Sequence, residues 1–295
     1  MKKYFIIIPI LVLVYFLSGK DNSSIKTENK RIETDNLIVN MTNYGMENIL
    51  LSEYLNGVVA CEMPALFHDE AIKAGIVAAR TFYLYKYESD KDYKPSNGDQ
   101  CYFSESKRKE NWKDNYELYN EKILNNINLT KNEVITYDGN LIKAFYFSMS
   151  NGYTEDAVNV FKKSEPYLVS VISVFDKDVK NNISSKSISV NEFKEKLNID
   201  NDIVINNIIR DSSNRVSEIV INNVNYDGVY FRKLFDLRST DFEIEFNDQE
   251  VIITTRGYGH GVGMSQWGAN EMAKMGYEYK DILKYYYKDV EIMYK

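Results

Sequence analysis

One long helix with a small-residue face constrains this chain more than any other feature. After Pro64, residues Ala71, Ala74, Val77, Ala78, Phe82 and Tyr85 recur at three- and four-residue spacing. That spacing puts them on a single stripe of a helix running from about Asp69 to Tyr87. Ala71, Ala74, Gly75, Ala78 and Ala79 are small, so a neighbouring element can come close to the helix axis. Such a helix must be buried in a core, and 295 residues are enough to build one large domain or two small ones.

Around it the pattern mixes helices and strands. Leu37-Ile38-Val39 predicts a strand, and Glu47 to Leu55 a short amphipathic helix. Residues 88–115 are polar and loop-like, and a further helix is expected over 115–127. Asn132 to Tyr137 leads through Asp138-Gly139 into Leu141–Ser148, which reads as a hairpin. Ser189 and Glu192 have capping-box spacing for a helix to about Leu197. β-type runs at 203–209, 216–223, 241–246 and 250–255 make a β-rich subdomain over 182–256. Helices from about Gln266 to Met275 and from Tyr279 to Tyr287 close the chain. The expected fold is α+β, mixed helices and antiparallel sheet in a core with a β-rich insert.

The first residues read Met1-Lys2-Lys3, then an apolar run from Tyr4 to Leu17. A positive start before an apolar run predicts a membrane anchor over residues 1–19, a transmembrane helix with its N-terminus inside and the rest outside. No A-x-A-like cleavage site follows it. Residues 20–36 are polar and aperiodic and read as a linker, with the folded body from Leu37. A net charge of −7 argues against nucleic acid as a partner. The two cysteines, Cys61 and Cys101, either pair or stay free; the sequence leaves both open. His68 and His260 are the only histidines, and no H-E-x-x-H spacing exists, so a zinc amidase is disfavoured. No cofactor is expected beyond an incidental zinc on Cys61, Cys101 and a histidine.

Two stretches carry chemistry. In Gly57-Val58-Val59-Ala60-Cys61-Glu62-Met63-Pro64 a carboxylate follows an apolar run and precedes the long helix. Partial burial raises a carboxyl pKa, as a general acid near neutral pH requires. In Gly257-Tyr258-Gly259-His260-Gly261-Val262-Gly263-Met264-Ser265-Gln266-Trp267-Gly268, alternate glycines surround a histidine. Glycines let a ligand approach the backbone, Trp267 is a natural platform for a sugar ring, and Ser265 and Gln266 can hydrogen-bond hydroxyls. Arg80, in the middle of an apolar helix, either pairs with a buried carboxylate or orients substrate. Tyr146, Ser148 and Ser150 are candidate groove residues. Asp69 and Glu70 read as solvated groups at a helix start, His68 as a surface residue, and Tyr285-Tyr286-Tyr287 as core and rim packing.

These motifs are where a family becomes recognisable. Val58 through Glu62-Met63-Pro64 to Ala78-Ala79-Arg80-Thr81, together with Gly259-His260-Gly261-Val262-Gly263-Met264-Ser265-Gln266-Trp267-Gly268-Ala269, resembles the stage II sporulation protein D family. Ala144-Phe145-Tyr146-Phe147-Ser148 with Ser150-Asn151-Gly152, Pro166-Tyr167-Leu168 and Arg238-Ser239-Thr240 agree. The resemblance runs from about residue 37 to the end. It implies a lytic transglycosylase that cuts between N-acetylmuramic acid and N-acetylglucosamine in peptidoglycan, leaving 1,6-anhydro ends, with Glu62 as catalytic acid/base. It further implies a preference for glycan strands stripped of stem peptides by the stage II sporulation protein P amidase. Other engulfment membrane proteins are the remaining partners, and the setting is the mother-cell membrane, with the domain facing the septal wall. Cys61 departs from the family pattern, where a small residue is expected; Asn151 and Lys284 also depart from it. The domain also resembles amidase enhancers, which gives a rival reading as a glycan-binding module that stimulates an amidase without cutting.

Overall fold

The computed structural model describes residues 33–295. The expected anchor over 1–19 and most of the linker lie outside the described residues. Among the described residues, no helix is long and apolar enough to cross a membrane. The folded body begins before the expected Leu37: a 3-10 turn at Thr34–Asn36 buries Thr34 and Asp35.

Helix α1 spans Leu51–Glu62, later than the sequence pattern placed it and running up to the candidate acid. Its end has a local cause. Met63 precedes Pro64, whose ring disfavours helical geometry at the residue before it, and Met63 is extended at φ −127°, ψ 136°. Helix α2, Asp69–Ser89, is the long helix the small-residue stripe predicts. His68 caps it by accepting from the Glu70 N–H, and Asp69 and Glu70 sit in the positive first turn. The polar stretch expected as loop contains a helix, α3 at Glu105–Trp112, whose charged faces give little apolar periodicity. Helix α4 follows at Tyr116–Leu129.

The hairpin is half as predicted. Glu133–Tyr137 pairs antiparallel with Asn140–Leu141 across Asp138 and Gly139, both at positive φ. The chain then leaves that sheet. Tyr146–Phe147 pairs in parallel with Met264–Ser265, on the far side of the glycine-rich stretch. Helix α5 is short, Ala157–Phe161.

The stretch expected to be β-rich carries a second apolar cluster around Phe193, Phe231, Phe235 and Phe242. Ile183–Ser189, whose serines concealed it, pairs with Glu250–Arg256, which pairs in turn with Phe242–Phe246. A second antiparallel sheet joins Ile205–Arg210, Val216–Ile221 and Val224–Asp227. Helix α6, Val190–Leu197, is capped by the Ser189 hydroxyl as its spacing predicts, and α7 covers Gly228–Leu234. Helices α8, Gln266–Lys274, and α9, Tyr279–Tyr286, return to α2 and complete the main core. Tyr286 and Tyr287 are fully buried there.

Cys61 and Cys101 form a disulfide with Cα atoms 5.6 Å apart and a sequence separation of 40. Closing a loop of that length removes unfolded-state entropy worth about 4 kcal/mol in the chain-entropy model. In that bond neither sulfur is the thiolate a zinc ion would need.

Candidate active site

Glu62 is the last residue of α1, half-buried at the floor of an open groove of about 530 Å³. Burial raises its pKa above the ordinary carboxylate value, against the hydrogen bonds from Cys101 and Gln266. Its place at the negative end of the helix dipole acts in the same direction as burial. The Cys101 backbone N–H donates to Oε1 at 2.7 Å, and Gln266 Nε2 stands 3.5 Å from Oε2. Tyr146 stands beside it; its phenol is held well above its usual pKa by burial and then by the Glu62 charge. The phenol accepts from Gln100 Nε2 at 3.0 Å.

His260 also lines the groove. Burial, then the Arg232 and Arg215 guanidiniums, push it down to about 3, so it stays a neutral imidazole at any working pH. Its Nδ1 accepts from the Val262 N–H at 3.0 Å, which leaves the proton on Nε2. Phe145 and Phe161 stack at 4.7 Å beside it, with Phe82 5.7 Å from Phe145. These rings give the groove an apolar wall. The other carboxylates lining it, Asp99 and Glu165, are paired with Lys86 at 3.1 Å and Lys143 at 2.6 Å. Both keep lowered pKa values against partial burial, Asp99 through the Ser96 hydroxyl and then Lys86, Glu165 through Lys143.

The glycine-rich stretch does something other than admit a ligand. Gly257, Gly259, Gly261 and Gly263 all have positive φ. A Cβ on Gly263 would lie 2.0 Å from the Phe145 carbonyl oxygen, one on Gly259 2.7 Å from Phe147 Cβ, and one on Gly257 2.8 Å from the Met149 carbonyl oxygen. The alternate glycines therefore mesh with alternate residues of the 145–149 segment. The close approach is between two pieces of this chain's own backbone, and it aims Tyr146 and His260 into the groove.

Of the residues expected in the site, the fold brings together Glu62, Tyr146, His260 and Gln266. The others serve it from behind. Ser150 and Ser265 are fully buried, and both hydroxyls donate to Asp176 at 2.6 Å. Ser265 Oγ also accepts from the Gly268 N–H, capping α8. Asp176 is itself fully buried and its pKa is raised by desolvation, which the serine hydrogen bonds oppose. Ser148 is half-buried, and its carbonyl accepts from the Trp267 N–H at 3.1 Å. Trp267 turns its ring to Phe67 in an edge contact at 4.8 Å and does not line the groove.

Arg80 is fully buried, donating to both carboxylate oxygens of Asp35, at 2.6 and 3.0 Å, and to the Glu133 carbonyl at 3.2 Å. The pairing reading holds and the substrate-orienting one does not, because no face of the guanidinium reaches solvent. Arg80→Leu strands the Asp35 charge, so folding stability falls by about 3–5 kcal/mol. In the protein that remains folded the groove is unchanged, since Arg80 does not line it. A thermal melt reads the loss of stability.

Phe161, Gln100, Lys86 and Asp176 escaped the sequence reading. None sits in a motif, and only the fold carries them to the groove or beneath it.

The sequence profile described as "Stage II sporulation protein" matches residues 41–137. Stage II sporulation protein D of Bacillus amyloliquefaciens is 40% identical over 262 residues, covering 85% of this chain and 76% of the relative. Its Bacillus subtilis (strain 168) counterpart is 35% identical over 314 residues, covering 97% of this chain and 92% of the relative. The chain belongs to the stage II sporulation protein D family. An amidase enhancer of Bacillus subtilis (strain 168) is also similar, 28% identical over 290 residues, or 79% of this chain and 39% of the relative. Within this stage II sporulation protein D fold, the profile match takes in α1, α2 and Cys101, and so covers Glu62 and the nearer of its two donors, while Gln266 lies beyond it.

Proposed function

We propose that this chain is a lytic transglycosylase of peptidoglycan, with Glu62 as its single acid/base. The observation that carries the reading is a carboxyl whose pKa burial raises, at the floor of an open groove, while Asp99 and Glu165 are held by lysines. Protonated Glu62 gives its proton to the glycosidic oxygen, and the bond to the N-acetylmuramyl C1 breaks. The resulting carboxylate takes the proton of the same sugar's C6 hydroxyl. The C6 oxygen closes on C1, giving a 1,6-anhydro end with no water consumed. Glu62 ends protonated and ready for another cycle. A hydrolase needs a second carboxyl to activate water or attack the sugar, and this chemistry does not.

Neutral His260 and the Tyr146 phenol act as hydrogen-bonding groups along the sugar, and the Phe145–Phe161 wall supplies its apolar contact. Membership of the family supports a role in sporulation. We extend this to engulfment, on strands an amidase has stripped, with the domain outside the cytoplasm and tethered through residues 1–19.

The test is mass analysis of products from peptide-free glycan treated with the full-length protein. Products short by one water at the muramyl end are expected, and water-containing reducing ends would identify a hydrolase. The rate falls as pH rises through the elevated Glu62 pKa, above 4.5, because the protonated acid is the competent form. A second reading, as an amidase stimulator, is favoured by the similarity to the amidase enhancer. It wins if no glycan is cut while an amidase speeds up in this protein's presence.

A further inference from the structure

We propose that the Cys61–Cys101 disulfide is a positioning element of the active site, holding the Cys101 N–H on the Glu62 carboxylate. The inference rests on Glu62 being the acid/base. It starts from an adjacency. Cys61 immediately precedes Glu62 on α1, and the N–H that reaches Glu62 Oε1 at 2.7 Å belongs to Cys101 itself. The covalent bond thus joins the residue beside the acceptor to the residue that carries the donor, with Cα atoms 5.6 Å apart. The donor lies on the groove wall, since Gly98, Asp99 and Gln100 all line the cavity.

Other contacts hold this wall, but not at Glu62. The Gln100 side chain bonds Tyr146 and Tyr54, at 3.0 and 3.3 Å. The Phe103 N–H donates to the Gly57 carbonyl at 3.0 Å, more than a turn upstream on α1. A Cβ on Gly57 would collide with the Tyr102 ring at 2.1 Å, so the glycine is what lets the wall lie on α1. These tethers bracket Cys101. Among the described contacts, the disulfide is the one tie between the wall and the last turn of α1 besides the Cys101–Glu62 hydrogen bond itself.

The consequence concerns the proton of Glu62. An N–H donor favours the charged carboxylate and opposes the burial that favours the acid. Releasing it raises the pH at which Glu62 loses its proton. A disulfide that merely stapled the fold would change thermal stability and leave that titration where it was.

The test follows the Glu62 side-chain carboxyl by carbon NMR in full-length protein, its signal assigned by its absence in Glu62→Gln. Three forms are compared: oxidised protein, protein treated with a dithiol that returns both sulfurs to thiols, and the Cys61→Ser/Cys101→Ser variant. We expect the Glu62 midpoint to move up by about one pH unit in the second and third forms. The alkaline limb of kcat for glycan cleavage should move with it, at unchanged KM, and the dithiol should leave the serine variant unaffected. An unmoved midpoint, with only the melting temperature lowered, overturns the proposal. So does a purified protein whose mass shows two free thiols. If the serine pair does not fold, the dithiol-treated protein decides the question. The NMR midpoint also needs no turnover, so an absence of glycan cleavage would sink the transglycosylase reading without touching this result.

Discussion

Glu62→Gln is expected to lower glycan cleavage by about 10²–10⁴-fold, the span that general acid–base catalysis contributes, while the protein melts no lower at pH 7. The amide fits the same half-buried place and accepts from the Cys101 N–H, but it cannot give up or take a proton. The stability half follows from linkage. The folded-state pKa of Glu62 is raised above its ordinary value of 4.5. Its contribution is therefore fully present below that value and is lost as pH rises through the raised folded-state pKa. Above the raised folded-state pKa the wild type holds a partly buried charge that the glutamine variant lacks, so there the variant melts at the same temperature or higher. Below about pH 4 the two melt alike. A variant that keeps its activity means Glu62 is not the acid. One that loses both activity and fold would show the residue to be structural instead.

The second large effect lies away from the groove. Arg215 and Glu155 are each about 1% exposed, with Arg215 Nε 3.7 Å from Glu155 Oε2. The guanidinium also donates to Ser239 Oγ at 3.0 Å, Asn151 Oδ1 at 3.2 Å and the Tyr153 carbonyl at 3.3 Å. It fills the space beside Gly261, where a Cβ would lie 2.7 Å from it. Arg215 thus joins the β-rich subdomain to the stretch carrying His260. Arg215→Leu should cost about 3–5 kcal/mol by leaving Glu155 buried without its cation. At roughly 2–4 °C per kcal/mol for a chain of this size, the melting temperature should fall by about 10 °C. Replacing both partners, as Arg215→Met with Glu155→Leu, should recover much of that loss, because two apolar groups leave no stranded charge. If the double variant is no better than the single, the ion pair is not the source of the cost. Asn151, a departure from the family pattern, gains a role here: its side chain donates to Asp241 and Ser213 and accepts from Arg215.

Much of this molecule is legible along the chain because the relevant physics is local. The α2 stripe, the Ser189 cap, the Asp138-Gly139 turn and the alternating strands of the subdomain depend on neighbours within a few residues, and each appears where its pattern predicts. Pro64 likewise ends α1 at Glu62 through a clash with its own preceding residue. The family motifs mark Glu62 and the glycine-rich stretch along the chain itself.

What a residue touches across the fold is not local, and there the sequence misleads. Ser150, Ser265 and Arg80 look like site residues by type. Burial assigns them instead to Asp176 and Asp35, carboxylates 26, 89 and 45 positions away. The alternate glycines look like a ligand cradle, and tertiary packing makes them the seam for the 145–149 segment. The long helix after Pro64 needed nothing beyond its own periodicity. The partner of Cys61, beside the acid that follows α1's apolar run, was decided only when the fold brought residue 101 back against that helix, because a covalent pairing depends on distance in space and not on spacing along the chain.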